Sequence, residues 1–294
     1  MNCIKPVKIK NPRYLDESYL YRVGEIMTKP DKYMYVPCGK CALCLSRKRE
    51  QWCFRLIEEV KLASSAYFIT LTYNDESLPQ DNRVNKRHAQ LFMKRLRKEI
   101  EPFKIRYFLV SEYGETFGRP HYHLILFDFP HDVYNIREVL KKTWKYCDSF
   151  MFDIGDSVGT VTPASINYVC KYCLSTINEE DPAKRTFMLC SRRPGIGINY
   201  LSSAMVDHLR ERLDGRGFNN FHFVPLPRYY KDKVFDDEMK LDLKIQQSIS
   251  DEQNRKKYFR SHPNSTERDF IRFQAGQQRQ RARKIVSRLK NRKI

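Results

Sequence analysis

SEYGETFGRPHYHLILF, residues 111–127, is the stretch on which the fold turns. Glycines at 114 and 118 bracket a short polar turn, and the flanking residues have strand character. The segment predicts a β-hairpin with one strand over Ile105–Glu112 and its partner over Pro120–Phe129. Side chains alternate along a strand, so His121, His123, Ile125 and Phe127 share one face, and Tyr122, Leu124 and Leu126 the other. Two same-face histidines stand about 6.6 Å apart along the backbone, close enough for their imidazoles to converge on one ion. If the turn centres on Thr116–Phe117, Glu112 lies opposite His121 and points to the same face. Glu112, His121 and His123 then form a two-histidine, one-carboxylate set with positions open to a phosphate oxygen and water. Glu115 competes for the carboxylate role, since the register is inferred. The set suits Mg²⁺ or Mn²⁺, with imidazole favouring Mn²⁺ slightly, and it also admits Zn²⁺. The bland alternative is an ordinary surface His-x-His pair.

Outward from the hairpin, Tyr67–Tyr73 reads as a strand, rich in β-branched and aromatic residues. Lys40–Ala63 reads as a helix, with Leu45, Trp52, Leu56, Val60 and Ala63 near one face. His88–Ile100 is a second helix carrying the exposed basic cluster Lys94, Arg95, Arg97 and Lys98. Val133–Tyr146 is expected as helix, Phe150–Ile154 as strand, and Asn199–Leu213 as helix. Pro163–Ile177 is a helix with Thr162 at the N-cap and proline at the first position. Helices interspersed with strands that pair as hairpins indicate an α+β fold, a central, mainly antiparallel sheet flanked by helices. Past Arg228 the composition turns charged and amide-rich, and Gln274–Ile294 holds eight Lys/Arg and no acid. We therefore expect a main domain over 1–227, including the Cys-rich N-terminal segment. A basic, helical or disordered extension over 228–294 would follow it.

The 294 residues carry 54 Lys+Arg against 35 Asp+Glu, a net charge of +19. That excess points to a polyanionic partner, nucleic acid before an anionic membrane. No stretch has the roughly 20 apolar residues of a membrane span, and the first residues lack a signal-peptide core. The expected location is a cytosol, where nine cysteines are thiols or metal ligands rather than disulfides. Cys38-x-x-Cys41-x-x-Cys44 has metal-ligand spacing, and a structural Zn²⁺ needs a fourth ligand from Cys3 or Cys53. Cys53 lies further along the same helix, roughly 13 Å away, so Cys3 is the better choice. Buried thiols at a helix start, or an iron–sulfur cluster, are the alternatives. In Ser191–Gly197, Arg192 and Arg193 with the backbone amides can hold a phosphate, or form a plain loop. Arg119, just before the histidines, joins these arginines and the Lys94–Lys98 cluster as a DNA-binding candidate.

On the Pro163–Ile177 helix, Ile166, Val169, Cys170, Cys173 and Ile177 form the packing stripe. Tyr168 and Tyr172, one turn apart, project away from it, with Lys171 beside them. A phenol with a pKa near 10 is a poor nucleophile at neutral pH, and a nearby Lys or metal cation favours the phenolate. Such a phenolate can attack phosphorus in line and keep the energy of the cut bond in a phosphotyrosine link. Exposed aromatics on a half-buried helix are the plain alternative.

The motifs PCGKCALC (37–44), FITLTY (68–73), SEYGETFGRPHYHLILF (111–127), YVCKYC (168–173) and SRRPGIG (191–197) occur in order over about 160 residues. With them the chain resembles the HUH endonucleases of the rolling-circle initiator class, in particular the initiators of gokushovirus-type microviruses, small single-stranded DNA phages. The resemblance implies the HUH endonuclease fold, with Phe68–Tyr73 as a strand under the active site. It implies His121 and His123 as metal ligands, Glu112 at the acidic ligand position, and Tyr168 and Tyr172 as nucleophiles with Lys171 between them. The implied reaction nicks single-stranded DNA at the viral origin, leaves a 5′-phosphotyrosine and frees a 3′-OH for a host polymerase. A host helicase would unwind the duplex, in the host bacterial cytoplasm. The competing expectations are a single-strand transposase or mobilisation nuclease of the same superfamily, and a non-enzymatic, zinc-containing nucleic-acid-binding module.

Overall fold

In a computed structural model, residues 3–291 are described, apart from 13, 17–20, 24, 25, 30, 154–156, 172–180, 182, 183, 220 and 221. The strands are β1 (Val7–Lys10), β2 (Tyr21–Val23), β3 (Ile26–Thr28), β4 (Tyr33–Val36), β5 (Ala66–Leu71), β6 (Arg106–Tyr113) and β7 (Pro120–Phe127). They continue with β8 (Val158–Thr160), β9 (Met188–Cys190), β10 (Arg216–Asn219) and β11 (His222–Pro225). The helices are α1 (Ala42–Val60), α2 (Lys86–Glu99), α3 (Ile136–Thr143) and α4 (Pro163–Lys171), then α5 (Ser203–Arg212), α6 (Arg228–Val234), α7 (Asp237–Ser261) and α8 (Glu267–Asn291). Among the described residues no helix is long and apolar enough to cross a membrane.

The contacts divide the chain into two compact units, 52–200 and the combination of 1–51 with 201–294. The first is built on a five-stranded antiparallel sheet in the order β8-β5-β7-β6-β9. Central strand β7 is covered on both faces, which is why its sequence runs apolar after the histidines instead of alternating. On one face Ile69, Leu71, Leu109, Tyr122, Leu124 and Leu126 pack against Phe92 and Leu96 of α2 and Leu140 of α3. On the other, Phe108, Val110, Ile125 and Phe127 meet Leu56 of α1 and Ile166, Val169 and Cys170 of α4. Fully burying each of these side chains stabilises the fold by about 1.5–3 kcal/mol. The α+β architecture with a central antiparallel sheet is the one expected.

One expected element differs. The strand over Phe150–Ile154 is a short 3-10 helix, Ser149–Phe152, and the strand of this region is β8. Phe150 and Met151 are exposed while Phe152 is buried, a one-in-three pattern that no strand face would give. The Arg137 guanidinium ties this turn down at the Phe152 carbonyl. The α4 helix is described as far as Lys171; its expected continuation to Ile177, with Tyr172 and Cys173, lies outside the described residues. Thr162 caps α4 as expected, its hydroxyl accepting from the Ser165 amide at 3.2 Å.

A buried ion pair ties the start of β6 to the loop over 194–197. Glu59 of α1, 3% exposed, pairs with Arg106 of β6, and Arg106 donates to the carbonyls of Pro194 (3.0 Å) and Gly195 (3.1 Å). The other Glu59 oxygen accepts from the Gly197 amide at 2.5 Å. Glu59→Ala should therefore lower stability by about 3–5 kcal/mol, because it strands a mostly buried guanidinium and an amide. Urea denaturation checks this, and a loss below about 1 kcal/mol would show that the pair holds nothing.

In the second unit, β1 pairs with β4, β2 with β3 and β10 with β11, each antiparallel. The region past Arg228 is helical: α6, then the hairpin of α7 and α8. Arg255 bridges Glu252 and Glu267 across that hairpin, and Tyr258 packs on Phe270 and Phe273.

Candidate metal and nucleophile site

The hairpin of β6 and β7 places Glu112 directly across from His121. Both histidines turn Nε2 to one carboxylate oxygen: His121 lies 3.1 Å and His123 2.8 Å from Glu112 Oε2. Glu112 and His123 are buried, 9% and 4% exposed, whereas Glu115 is exposed in the turn and stands apart from this group. His121 Nδ1 lies 3.2 Å from the Arg119 carbonyl, an acceptor only, which assigns the ring hydrogen to Nδ1 and the lone pair to Nε2. His123 Nδ1 faces the Thr70 hydroxyl at 3.2 Å, from the residue paired with it on β5. Burial holds the His123 imidazole below the usual histidine range; the Glu112 hydrogen bond opposes this and the His121 charge adds to it.

A carboxylate oxygen thus faces a ring-nitrogen lone pair, which is repulsive unless a cation lies between them or a proton is taken up. The donor set fits a divalent cation. Ligands at right angles on bonds of about 2.1 Å stand about 3 Å apart, close to the two separations here, whereas tetrahedral zinc spreads them to about 3.4 Å. The three donor atoms all lie within 4.8 Å of one another.

Tyr168 of α4 stands beside this group. Its ring meets the His123 ring edge-on at 5.1 Å and the Phe68 ring at 6.2 Å, while Phe68 stacks on His123 at 5.5 Å. The helical wheel turned Tyr168 away from the apolar stripe. In the structure it is half-buried at the border of that stripe, against the sheet's polar end. Lys171 is half-buried at the end of the described helix, and Tyr172 lies outside the described residues.

A groove opens beside His121, lined by Thr72, Tyr73, Glu115, Phe117 and Arg119. Phe117 at the hairpin tip is 81% exposed, and Arg119 is held by Asp75 (2.6 Å) and the Tyr73 carbonyl (3.1 Å). The basic cluster of α2 is elsewhere, since α2 covers the opposite sheet face from the histidines. Lys94, Arg97 and Lys98 are exposed there, but Arg95 turns inward to the Thr143 carbonyl at 2.7 Å and over the Tyr146 ring. Arg192 and Arg193 are exposed on the loop that Glu59 and Arg106 hold, where the Gly197 amide already serves Glu59. Thr70, Phe68 and Phe117 were not singled out in the sequence. The spacing of FITLTY puts Phe68 and Thr70 on one face, but only the β5–β7 register brings that face to His123.

In the other unit, Cys3, Cys38, Cys41 and Cys44 come together with their sulfurs within 4.8 Å of one another. Cys53 is not among them, its thiol facing Asn167 Oδ1 at 3.6 Å. Burial pushes the Cys41 thiol up, but hydrogen bonds from the Ile4 and Cys44 backbone and the neighbouring thiols outweigh it and bring it down to about 6. Burial pushes Cys44 up to about 12, with the Gly39 backbone opposing and Cys41 and Cys3 adding to the rise.

The family model for the ORF2-type replication-associated protein matches residues 66–177, the segment from β5 through the Tyr168 helix. Over that segment the chain is similar to this family of replication-associated proteins. Its relatives include replication-associated protein VP4 of Bdellovibrio phage phiMH2K, 27% identical over 79% of this chain and 76% of that protein. Replication-associated protein ORF2 of Spiroplasma virus 4 is 28% identical over 68% of this chain and 69% of its own length. ORF4 of Chlamydia phage 1, also replication-associated, is 26% identical over 67% of this chain and 53% of its own length. The segment matched by the family model thus encloses Glu112, His121, His123 and Tyr168 together. No solved structure matches the chain significantly.

Proposed function

We propose that this protein is a replication initiator of the HUH type, which nicks and rejoins single-stranded DNA at a phage origin through a covalent 5′-phosphotyrosine. The observation that carries the reading is the convergence of two imidazoles on Glu112 Oε2 with the Tyr168 ring against one of them. Similarity to replication-associated proteins of small phages supports the biological role. The net charge of +19 supports a nucleic-acid substrate.

Glu112, His121 and His123 would hold Mg²⁺ or Mn²⁺. When bound, the cation supplies Lewis acidity, taking up charge on the non-bridging phosphate oxygens. The Tyr168 phenol gives up its proton to solvent and its oxygen attacks phosphorus; the Oη–P bond forms as the P–O3′ bond breaks, and the 3′ oxygen takes a proton from solvent to leave as a hydroxyl. Lys171, as a neighbouring cation, favours the phenolate. Attack by a 3′-OH on the phosphotyrosine reverses the step and rejoins the strand. Tyr172 would serve as the second nucleophile, allowing the successive transfers that close a unit-length circle. The freed 3′ end would prime a host polymerase, with a host helicase opening the duplex in the host bacterial cytoplasm.

The test is incubation of the full chain with single-stranded circular phage DNA and Mn²⁺, followed by denaturation and peptide mapping. We expect a metal-dependent adduct on Tyr168 or Tyr172. A double Tyr168→Phe, Tyr172→Phe protein that still links to DNA would overturn the assignment.

The groove beside His121 is the natural path for the strand, with exposed Phe117 as a platform for one base. Stacking of a base on an aromatic ring contributes about 1–3 kcal/mol, so Phe117→Ala should weaken single-strand binding about 5- to 150-fold. Phe117→Trp should retain it. Fluorescence anisotropy in EDTA, where no cutting occurs, reads both, and equal affinities for all three proteins would remove Phe117 from the path.

A further inference from the structure

The N-terminal cysteines take no part in the chemistry above. We propose that Cys3, Cys38, Cys41 and Cys44 bind one Zn²⁺ in a tetrahedral, structural site. Two stretches of chain supply the sulfurs, the first residues with Cys3 and the connection from β4 into α1 with the other three. Pairing of β1 with β4 sets Val7 against Val36, which delivers Cys3 beside Cys38, while Cys41 and Cys44 flank the start of α1.

The geometry suits a single ion. Four sulfurs about 2.3 Å from one zinc stand about 3.8 Å apart. Here Cys3 and Cys41 are separated by 3.8 Å and Cys38 and Cys44 by 4.0 Å, and no pair exceeds 4.8 Å. These distances are far beyond the roughly 2.05 Å of a disulfide. They are also too tight for a four-iron cluster, which bonds each cysteine to a different iron and so spreads the sulfurs apart. The Cys38 amide donates to Cys3 Sγ and the Cys41 amide to Cys38 Sγ, both at 3.3 Å, and such donors stabilise thiolate charge. An all-sulfur set selects zinc over the hard cations suited to the histidine site.

A second observation points the same way. All of β1 is exposed, with Val7 at 47% and Ile9 at 36%, and on β4 Tyr33 is 49% and Tyr35 57% exposed. A two-stranded ribbon that buries so little is marginal in water. Apolar packing does not anchor it, and the cysteine cluster at its foot is what ties it to α1.

The experiment measures metal in the full chain, purified reduced and without chelator. We expect one zinc per chain from the Cys cluster, and on cobalt exchange the thiolate charge-transfer and tetrahedral ligand-field bands of a CoS₄ centre. Cys38→Ser and Cys41→Ser should lose that zinc, and His121→Ala should keep it in full. The His121→Ala result makes the outcome independent of whether the protein nicks DNA. If the serine variants fail to fold, the cobalt spectrum of the unmodified chain decides. Absence of both zinc and the cobalt bands, or an iron–sulfur absorption in their place, would overturn the proposal.

Discussion

Glu112→Gln should reduce strand cleavage about 10³-fold or more at saturating DNA while leaving the protein folded. Glutamine has nearly the same shape, so the buried position on β6 is not hollowed out. What disappears is the one negative charge to which both histidines turn Nε2. A bound cation stabilises the transition state of phosphoryl transfer by several kcal/mol, and each 1.36 kcal/mol is tenfold in rate. The variant should also need a much higher Mn²⁺ concentration for half-maximal activity, since a neutral amide is a poor ligand for a hard ion. Single-turnover cleavage across an Mn²⁺ titration checks both effects. A rate within about tenfold of the unmodified protein at saturating metal would mean that another carboxylate does the work.

The second large effect is chemical rather than electrostatic. Tyr168→Phe removes one oxygen and leaves the ring, so its packing on His123 and Phe68 persists. Thermal stability should fall by no more than about 1.5 kcal/mol, the net worth of one hydrogen bond, and metal affinity should be unchanged. The covalent link at position 168 should vanish, because no other atom of that side chain can attack phosphorus. On the proposed mechanism, comparison with Tyr172→Phe on a circular substrate separates the two proposed roles: the variant that still opens the circle but cannot close it lacks the second nucleophile. An adduct of undiminished yield in Tyr168→Phe would shift the first attack to Tyr172.

Much of this site was legible from the hairpin alone. Gly114 and Gly118 bracket the turn, the turn sets the register, and the register puts Glu112 opposite His121. The geometry of the candidate site is therefore local, written within a single hairpin. What could not be read is what depends on packing between distant segments. Nothing in FITLTY says that Thr70 will face Nδ1 of His123, because that contact needs the β5–β7 register. The wheel for α4 places Ile166, Val169 and Cys170 in the core, as the structure does, yet misses that Tyr168 lies at the border and leans on the sheet. Arg95 was read as one of four exposed cations, but a long side chain can fold back, and its guanidinium serves the Thr143 carbonyl. The strand expected at Phe150 failed because three consecutive apolar residues suit a tight turn that buries one of them as well as a strand. β1 has no buried face, so its sequence carries no alternation from which a strand could be read.

The ion pair of Glu59 and Arg106 has a consequence for how this protein could be altered. It grips the 194–197 loop by carbonyls and an amide, groups that every amino acid shares, while the side chains of Arg192 and Arg193 project outward. Frame and lettering are thereby separated. Substitutions at 192 and 193 should therefore leave the scaffold beneath them in place, since the contacts that hold it are made by the backbone of 194–197.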